Sequence, residues 1–268
     1  AHSGLSDRQG PLAVFLLLGP SGVGKTGMAL SLAKFLFGGE DDLLRFDMSE
    51  YTEEQSVSRL IGTPPGHAGH AEPGQLTEAI RRKPNSVILF NEVEKAHAKV
   101  FDVFLRLFDA GRLTDSQGLV ADARNAIVVM TSNIGAGPLV MPKGFVVGND
   151  TVPLTRAGKT KAALRRFLRP ELLNRIDDTI EFRQLDEADV RRIARPLLAA
   201  LTTKVRKTHG VFLRFEAEAE GFVIRSGFDA QKGVRELKRV IERLVQMPLS
   251  TLALSGKLAQ HPAWKAVY

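Results

Sequence analysis

Residues 12–26 read LAVFLLLGPSGVGKT. The first seven residues of that stretch are apolar without alternation, as in a strand buried on both faces of a parallel sheet. The run stops at Gly19. Gly19-Pro20-Ser21-Gly22-Val23-Gly24-Lys25-Thr26 then matches G-x-x-x-x-G-K-[ST], and a helical pattern follows over 26–37. Each residue type has a physical reason. The glycines let the backbone curl until successive N–H groups converge on phosphate oxygens. The helix that starts near Gly24 adds the positive end of its dipole. Lys25 is placed to reach the outer phosphates, and the Thr26 hydroxyl to ligate Mg²⁺. ATP and Mg²⁺ are the ligands this reading implies.

Working outward, buried strands alternate with helices. Strands are expected over 43–48, 86–90 and 126–131, and helices over 75–82 and 99–108. In the helix over 26–37, Met28, Leu32, Phe35 and Leu36 fall near one face, as do Val100, Phe104, Leu107 and Phe108 in the helix over 99–108. The alternation predicts a three-layer α/β/α domain with a parallel sheet. Residues 135–160, rich in Gly, Pro and Val, read as a loop or insertion, and helical signals resume at 161–168. Beyond residue 184 the pattern changes to helices over 186–207 and 235–247 with a short strand over 211–215. The expected division is a P-loop domain over 1–183 and a small, mostly helical lid domain over 184–268.

The strand over 86–90 runs into Asn91-Glu92. In a P-loop ATPase an acidic residue at the end of such a strand holds Mg²⁺, usually through water. The next carboxylate polarises the attacking water. Glu92 suits the second role. Asn91 stands where the metal-side carboxylate is expected; its oxygen can accept from metal-bound water but brings no charge. Weaker Mg²⁺ binding and slower hydrolysis are the expectation.

Composition bounds the function classes. The 268 residues include no cysteine, which excludes disulfides and thiolate metal sites. No apolar run reaches the roughly 18 residues needed to span a bilayer. The first residues, AHSGLSDRQG, lack a signal-peptide pattern. A cytosolic or organelle-matrix location is therefore expected. Net charge is +7. It is uneven: residues 1–150 hold 14 Lys and Arg against 17 Asp and Glu, and residues 151–268 hold 23 against 13. A basic half can mark a nucleic-acid surface. Aromatics for base stacking are not interleaved with those basic residues, which disfavours that reading.

With both motifs in place, the chain resembles the Clp family of AAA+ chaperones. The segments that carry the likeness are FDMSEY (46–51), SRLIGTPPG (58–66), GQLTEAIRRKP (74–84), EVEKAH (92–97), FDAGRLTDSQG (108–118), TSN (131–133), RPELLNRID (169–177) and GVRELKRVIE (233–242). It is closest to the second ATPase module of double-ring disaggregases. No counterpart of their N-terminal domain, first ATPase module or coiled-coil insertion is expected within these residues.

The resemblance implies roles residue by residue. Asn133 falls at the sensor that positions the attacking water. Arg175 falls at the arginine finger that enters the neighbouring subunit's site, where a guanidinium stabilises charge on the transferred phosphoryl. Arg235 falls at the lid sensor that touches phosphate. His67 stands where such unfoldases carry a pore-loop aromatic that grips substrate, with His70 at a second such position, so an altered peptide grip is implied. The implied assembly is a homo-oligomeric ring, a hexamer, acting on unfolded or aggregated protein. A nucleotide-binding assembly module with little turnover is the alternative. A DNA-directed AAA+ protein is disfavoured by the Clp-like segments.

Overall fold

The computed structural model describes residues 9–63, 73–134, 163–165, 167–229, 233–260 and 263–266. By its contacts the chain parts into two compact units, one of residues 1–19 with 25–182 and one of residues 20–24 with 183–268. In chain order the first unit contains β1 (Ala13–Leu18), α1 (Lys25–Phe37), β2 (Leu43–Asp47), α2 (Val57–Ile61), α3 (Gln75–Arg82), β3 (Val87–Asn91), α4 (Ala98–Ala110), β4 (Arg112–Thr114), β5 (Val120–Asp122), β6 (Ile127–Ser132), α5 (Pro170–Leu173) and β7 (Asp178–Glu181).

Five of these strands form one sheet in the order β2-β3-β6-β1-β7, all neighbours parallel. All five residues of β3 and all six of β6 are buried, as expected of central strands covered on both faces. Because side chains alternate across a strand, each strand feeds two cores. Val14, Leu16 and Leu18 of β1 join Ile88, Phe90, Val128 and Met130 and meet α4 on one face. Leu17 joins Val87, Leu89 and Val129 and meets α1 on the other. The expected α/β/α layering is present. An aromatic cluster anchors the α4 side, with the Phe90 and Phe104 rings 4.2 Å apart and Phe101 edge-on to Phe104. Truncating such a ring, as in Phe104→Ala, costs about 3–5 kcal/mol. α4 stops at Gly111, whose φ of +62° closes the helix by the left-handed turn that glycine adopts without a Cβ penalty.

α1 is rotated from the expectation. Its buried residues are Lys25, Ala29 and Ala33. Met28, Phe35 and Leu36 are exposed, Phe35 to 85%, and only Leu32 of the expected face packs against the core. The phosphate loop sets the helical phase. Lys25 must point inward, so positions four and eight residues on face the sheet, and small alanines there let the helix lie close.

The second unit contains α6 (Glu187–His209), β8 (Phe212–Phe215), α7 (Ala217–Gly227), α8 (Val234–Ile241), α9 (Met247–Leu254) and β9 (Ala263–Ala266). α6 starts with a reciprocal capping box, Asp186 accepting from the Asp189 N–H and Asp189 from the Asp186 N–H. Val190, Ala194 and Leu198 of α6 pack on Val223, Ile224, Leu237, Val240 and Ile241. The helix expected over 235–247 is not uniform. A π-helical segment, Glu242–Gln246, separates α8 from α9. No helix among the described residues is long and apolar enough to cross a membrane.

Candidate nucleotide-binding site

Parallel strands bring their C-terminal ends to one edge of the sheet, and loops there carry the polar side chains. β1 delivers the phosphate loop, β3 delivers Asn91 and Glu92, and β6 delivers Thr131, Ser132 and Asn133. Gly19 has φ +140°, and a Cβ there would lie 2.5 Å from the Phe182 carbonyl oxygen. Glycine is required at this position by both backbone angle and space. Gly24 has φ +105°, a backbone angle that L side chains rarely adopt, and the space beside its Cα is open. In the second unit, the Val234 N–H donates to the Gly22 carbonyl at 2.9 Å.

Lys25 is 8% exposed, an uncommon burial for an ammonium. Its Nζ donates to the Gly19 carbonyl and, at 2.9 Å, to Asn133 Oδ1. Asn133 is held in turn: its Nδ2 donates to Glu94 Oε1 at 2.9 Å and its backbone N–H to the same oxygen at 3.1 Å. Glu94 Oε2 is buried with no hydrogen-bond partner among the described residues. Glu94 thus orients the side chain that meets Lys25.

Glu92 has φ 56° and ψ 53°, the one positive-φ residue other than glycine among those described. Such a conformation stores about 1–3 kcal/mol and persists where surrounding contacts over-determine it. Its backbone N–H donates to Thr131 Oγ1 at 3.1 Å, and its carboxylate pairs with Lys95 Nζ at 2.6 Å. The hydrogen bond and charge of Glu92 raise the Lys95 pKa. Asn91 closes β3 rather than following it. Its Oδ1 accepts from Thr131 Oγ1 at 2.8 Å and its Nδ2 donates to Asp47 Oδ2 at 3.1 Å. Burial works to raise the Asp47 pKa, but hydrogen bonds from Ser49 and Asn91 and the charge of Arg45 hold it below the usual carboxylate value.

Sequence reasoning singled out Gly19 to Thr26, Asn91, Glu92 and Asn133, and the fold brings Lys25, Asn133, Asn91 and Glu92 to the strand ends of one sheet. It missed Asp47, Glu94, Lys95 and Thr131. Glu94 and Lys95 lie in EVEKAH and Asp47 in FDMSEY, segments noticed for their likeness but not as site residues. Arg175 follows α5 and pairs with Asp109, both half exposed. Arg235 is exposed in the first turn of α8. His67 and His70 lie outside the described residues.

The residue types present fit ATP and Mg²⁺: a glycine backbone with open space at Gly24, a buried ammonium at Lys25, and oxygen-bearing side chains at Thr26 and Asn91 of the kind a hard cation takes. Fold and site define a P-loop nucleotide-binding module. The comparisons specify it further. The family "AAA domain (Cdc48 subfamily)" matches residues 10–179, and "C-terminal, D2-small domain, of ClpB protein" matches residues 185–265. The chain belongs to the AAA family, as a Clp-type second ATPase module.

Among similar proteins is Chaperone protein ClpB 1 of Nostoc sp., 46% identical over 256 residues, covering 96% of this chain and 28% of the relative. Chaperone protein ClpB of Aquifex aeolicus is 44% identical over 263 residues, covering 96% and 26%. Heat shock protein 100 of Trypanosoma brucei brucei is 43% identical over 258 residues, covering 96% and 29%. The chain therefore spans less than a third of the length of each of these relatives.

Proposed function

We propose that this chain is an ATP-hydrolysing module of a protein-remodelling machine that works as a ring, with residues 1–183 as the P-loop domain and 184–268 as its lid. The observation that carries the reading is the linked set Lys25–Asn133–Glu94 at the strand ends beside a left-handed Glu92. In this reading the loop amides from Gly19 to Thr26 and the Lys25 ammonium bind the phosphates, with Pro20, Ser21 and Val23 shaping the turn. Thr26 and Asn91 face the metal, which when bound neutralises phosphate charge. Glu92 takes the proton of the attacking water, and Asn133 orients that water. Arg235 touches phosphate from the lid, and Arg175 serves the neighbouring subunit. His67 contacts the substrate chain, an unfolded or aggregated protein, with a weaker grip than an aromatic gives. A cytoplasmic or organelle-matrix setting and a hexamer accompany the reading.

Asn91 favours a second reading, a nucleotide-binding assembly module with little turnover. Two measurements test both: steady-state ATPase rate, and assembly mass with and without ATP and Mg²⁺. Nucleotide-dependent assembly with turnover supports the first reading. Assembly without turnover supports the second, and neither ATP binding nor assembly would sink both.

A further inference from the structure

Asn91 is 7% exposed, and its neighbours on both sides dictate which way its amide points. On the β6 side, the Glu92 backbone N–H can only donate, and it donates to Thr131 Oγ1. The Thr131 hydroxyl then has its single proton for Asn91 Oδ1. On the β2 side lies the Asp47 carboxylate, which when ionised only accepts and so takes Asn91 by its NH₂ group. The two sides agree: oxygen toward Thr131, nitrogen toward Asp47. Strand order gives that polarity a meaning. β6 lies between β3 and β1, and β1 runs into the phosphate loop. β2 lies on the opposite side of β3. The amide oxygen therefore faces the loop side of the sheet and the N–H donors face away.

We propose that Asp47 is a positioning residue for the metal side of the site: by holding the NH₂ end of Asn91 it keeps the amide oxygen available to metal-bound water, so that a neutral side chain can stand where a carboxylate is expected. This rests on the nucleotide reading above. A reversed amide would turn N–H donors, with their partial positive charge, toward a cation. An sp² amide oxygen has two lone pairs, so accepting from Thr131 leaves one for water. A carboxylate at position 91 would need no such partner, because both its oxygens accept. It would instead face Asp47 as a like charge. The dependence on Asp47 is thus specific to Asn91.

The test is Mn²⁺ affinity of the ATP-bound chain, read by electron paramagnetic resonance, with ATP affinity in excess chelator as the control. Asp47→Ala is made in the present chain and in the Asn91→Asp background. In the present chain, Mn²⁺ affinity is expected to fall about tenfold, the range for losing an outer-shell partner of a metal ligand. Metal-free ATP affinity should stay within about twofold, since the loop carries it. In the Asn91→Asp background the loss should be clearly smaller. Removing a nearby negative charge alone would cost as much or more there, because metal binding would relieve the Asp47–Asp repulsion. An equal or larger loss in that background, or no loss in the present chain, overturns the proposal. Asp47 also accepts from the Ser49 N–H and hydroxyl. Asp47→Ser keeps an acceptor for that turn and serves as the second variant should Asp47→Ala unfold. Insensitivity of ATP binding to Lys25→Ala would overturn the nucleotide reading itself, and this inference with it.

Discussion

Lys25 and Asn133 are joined side chain to side chain, Lys25 Nζ donating to Asn133 Oδ1 at 2.9 Å across 108 residues of sequence. The ammonium that would meet phosphate is thus already held in place by the end of β6, the strand beside β1 in the sheet but far from the loop in the chain. A preorganised cation costs little reorganisation when charge arrives beside it.

Lys25→Ala is expected to weaken ATP binding about a hundredfold or more, near 3 kcal/mol. Titration calorimetry checks it. Unchanged affinity would place the nucleotide elsewhere.

Glu94 gives Asn133 both its backbone and side-chain acceptor. Glu94→Ala should lower stability by about 1–3 kcal/mol, the cost of stranding partly buried donors. It should also lower kcat about tenfold, with ATP affinity nearly unchanged because Lys25 and the loop remain. Urea unfolding and steady-state kinetics read the two effects. A loss confined to stability would remove Glu94 from the catalytic argument.

Asn91→Asp should raise the ATPase rate at limiting Mg²⁺ by about tenfold, as a charge is restored beside the metal. The same change sets two carboxylates across the β2–β3 pair, where Asp47 now accepts from Asn91. Without metal the variant should melt earlier than the parent, and Mg²⁺ should remove the difference. A Mg²⁺ titration showing no faster hydrolysis at any concentration would move the limiting step elsewhere.

Arg175→Ala should leave ATP binding nearly intact while removing assembly-dependent turnover. The Asp109 pair is half exposed and contributes little by itself, about 0–1 kcal/mol, so folding should survive the change. Mixing this variant with Lys25→Ala should recover part of the activity, because each supplies what the other lacks. No recovery in assemblies shown to be mixed would rule out a role between subunits.

Asp115 is a buried contributor to the pH dependence of stability. Burial pushes its pKa up, but the Leu119 and Gln117 N–H groups and the Arg81 guanidinium outweigh it and hold the carboxyl below its usual value. Its side chain is 1% exposed, and Arg81 Nη1 lies 2.6 Å away. A folded-state pKa below the unfolded one stabilises above the unfolded value, about 4, and that stability is lost as pH falls through the folded pKa. Stability should therefore decline below about pH 4 more steeply in the parent than in Asp115→Asn, which should itself cost about 2 kcal/mol at neutral pH. Parallel denaturation curves of the two proteins at pH 3 and pH 7 would contradict this.

The strands and the loop were legible because their signals are local. A run such as VILF at 87–90 is apolar throughout, and no tertiary detail is needed to see that water is excluded from both its faces. α1 was misread because the largest apolar side chains do not choose its face. Ala29 and Ala33 are weak hydrophobic signals, and only the inward position of Lys25 sets the rotation. The break between α8 and α9 was invisible because a π turn leaves the apolar pattern nearly intact.

By itself the sequence determined the phosphate loop, the strand-helix alternation that flanks it and the exceptional amide at position 91, since each is written in contiguous residues whose conformations are set by their own chemistry. Tertiary structure alone decided what surrounds them. Asp47 meets Asn91, and Thr131 meets Glu92, because parallel register aligns strand ends that lie about 40 residues apart in the chain. Glu94 reaches Asn133 over a comparable separation. A hydrogen bond is satisfied within about 3 Å in space, and no periodicity along the chain encodes which distant strand end will arrive there.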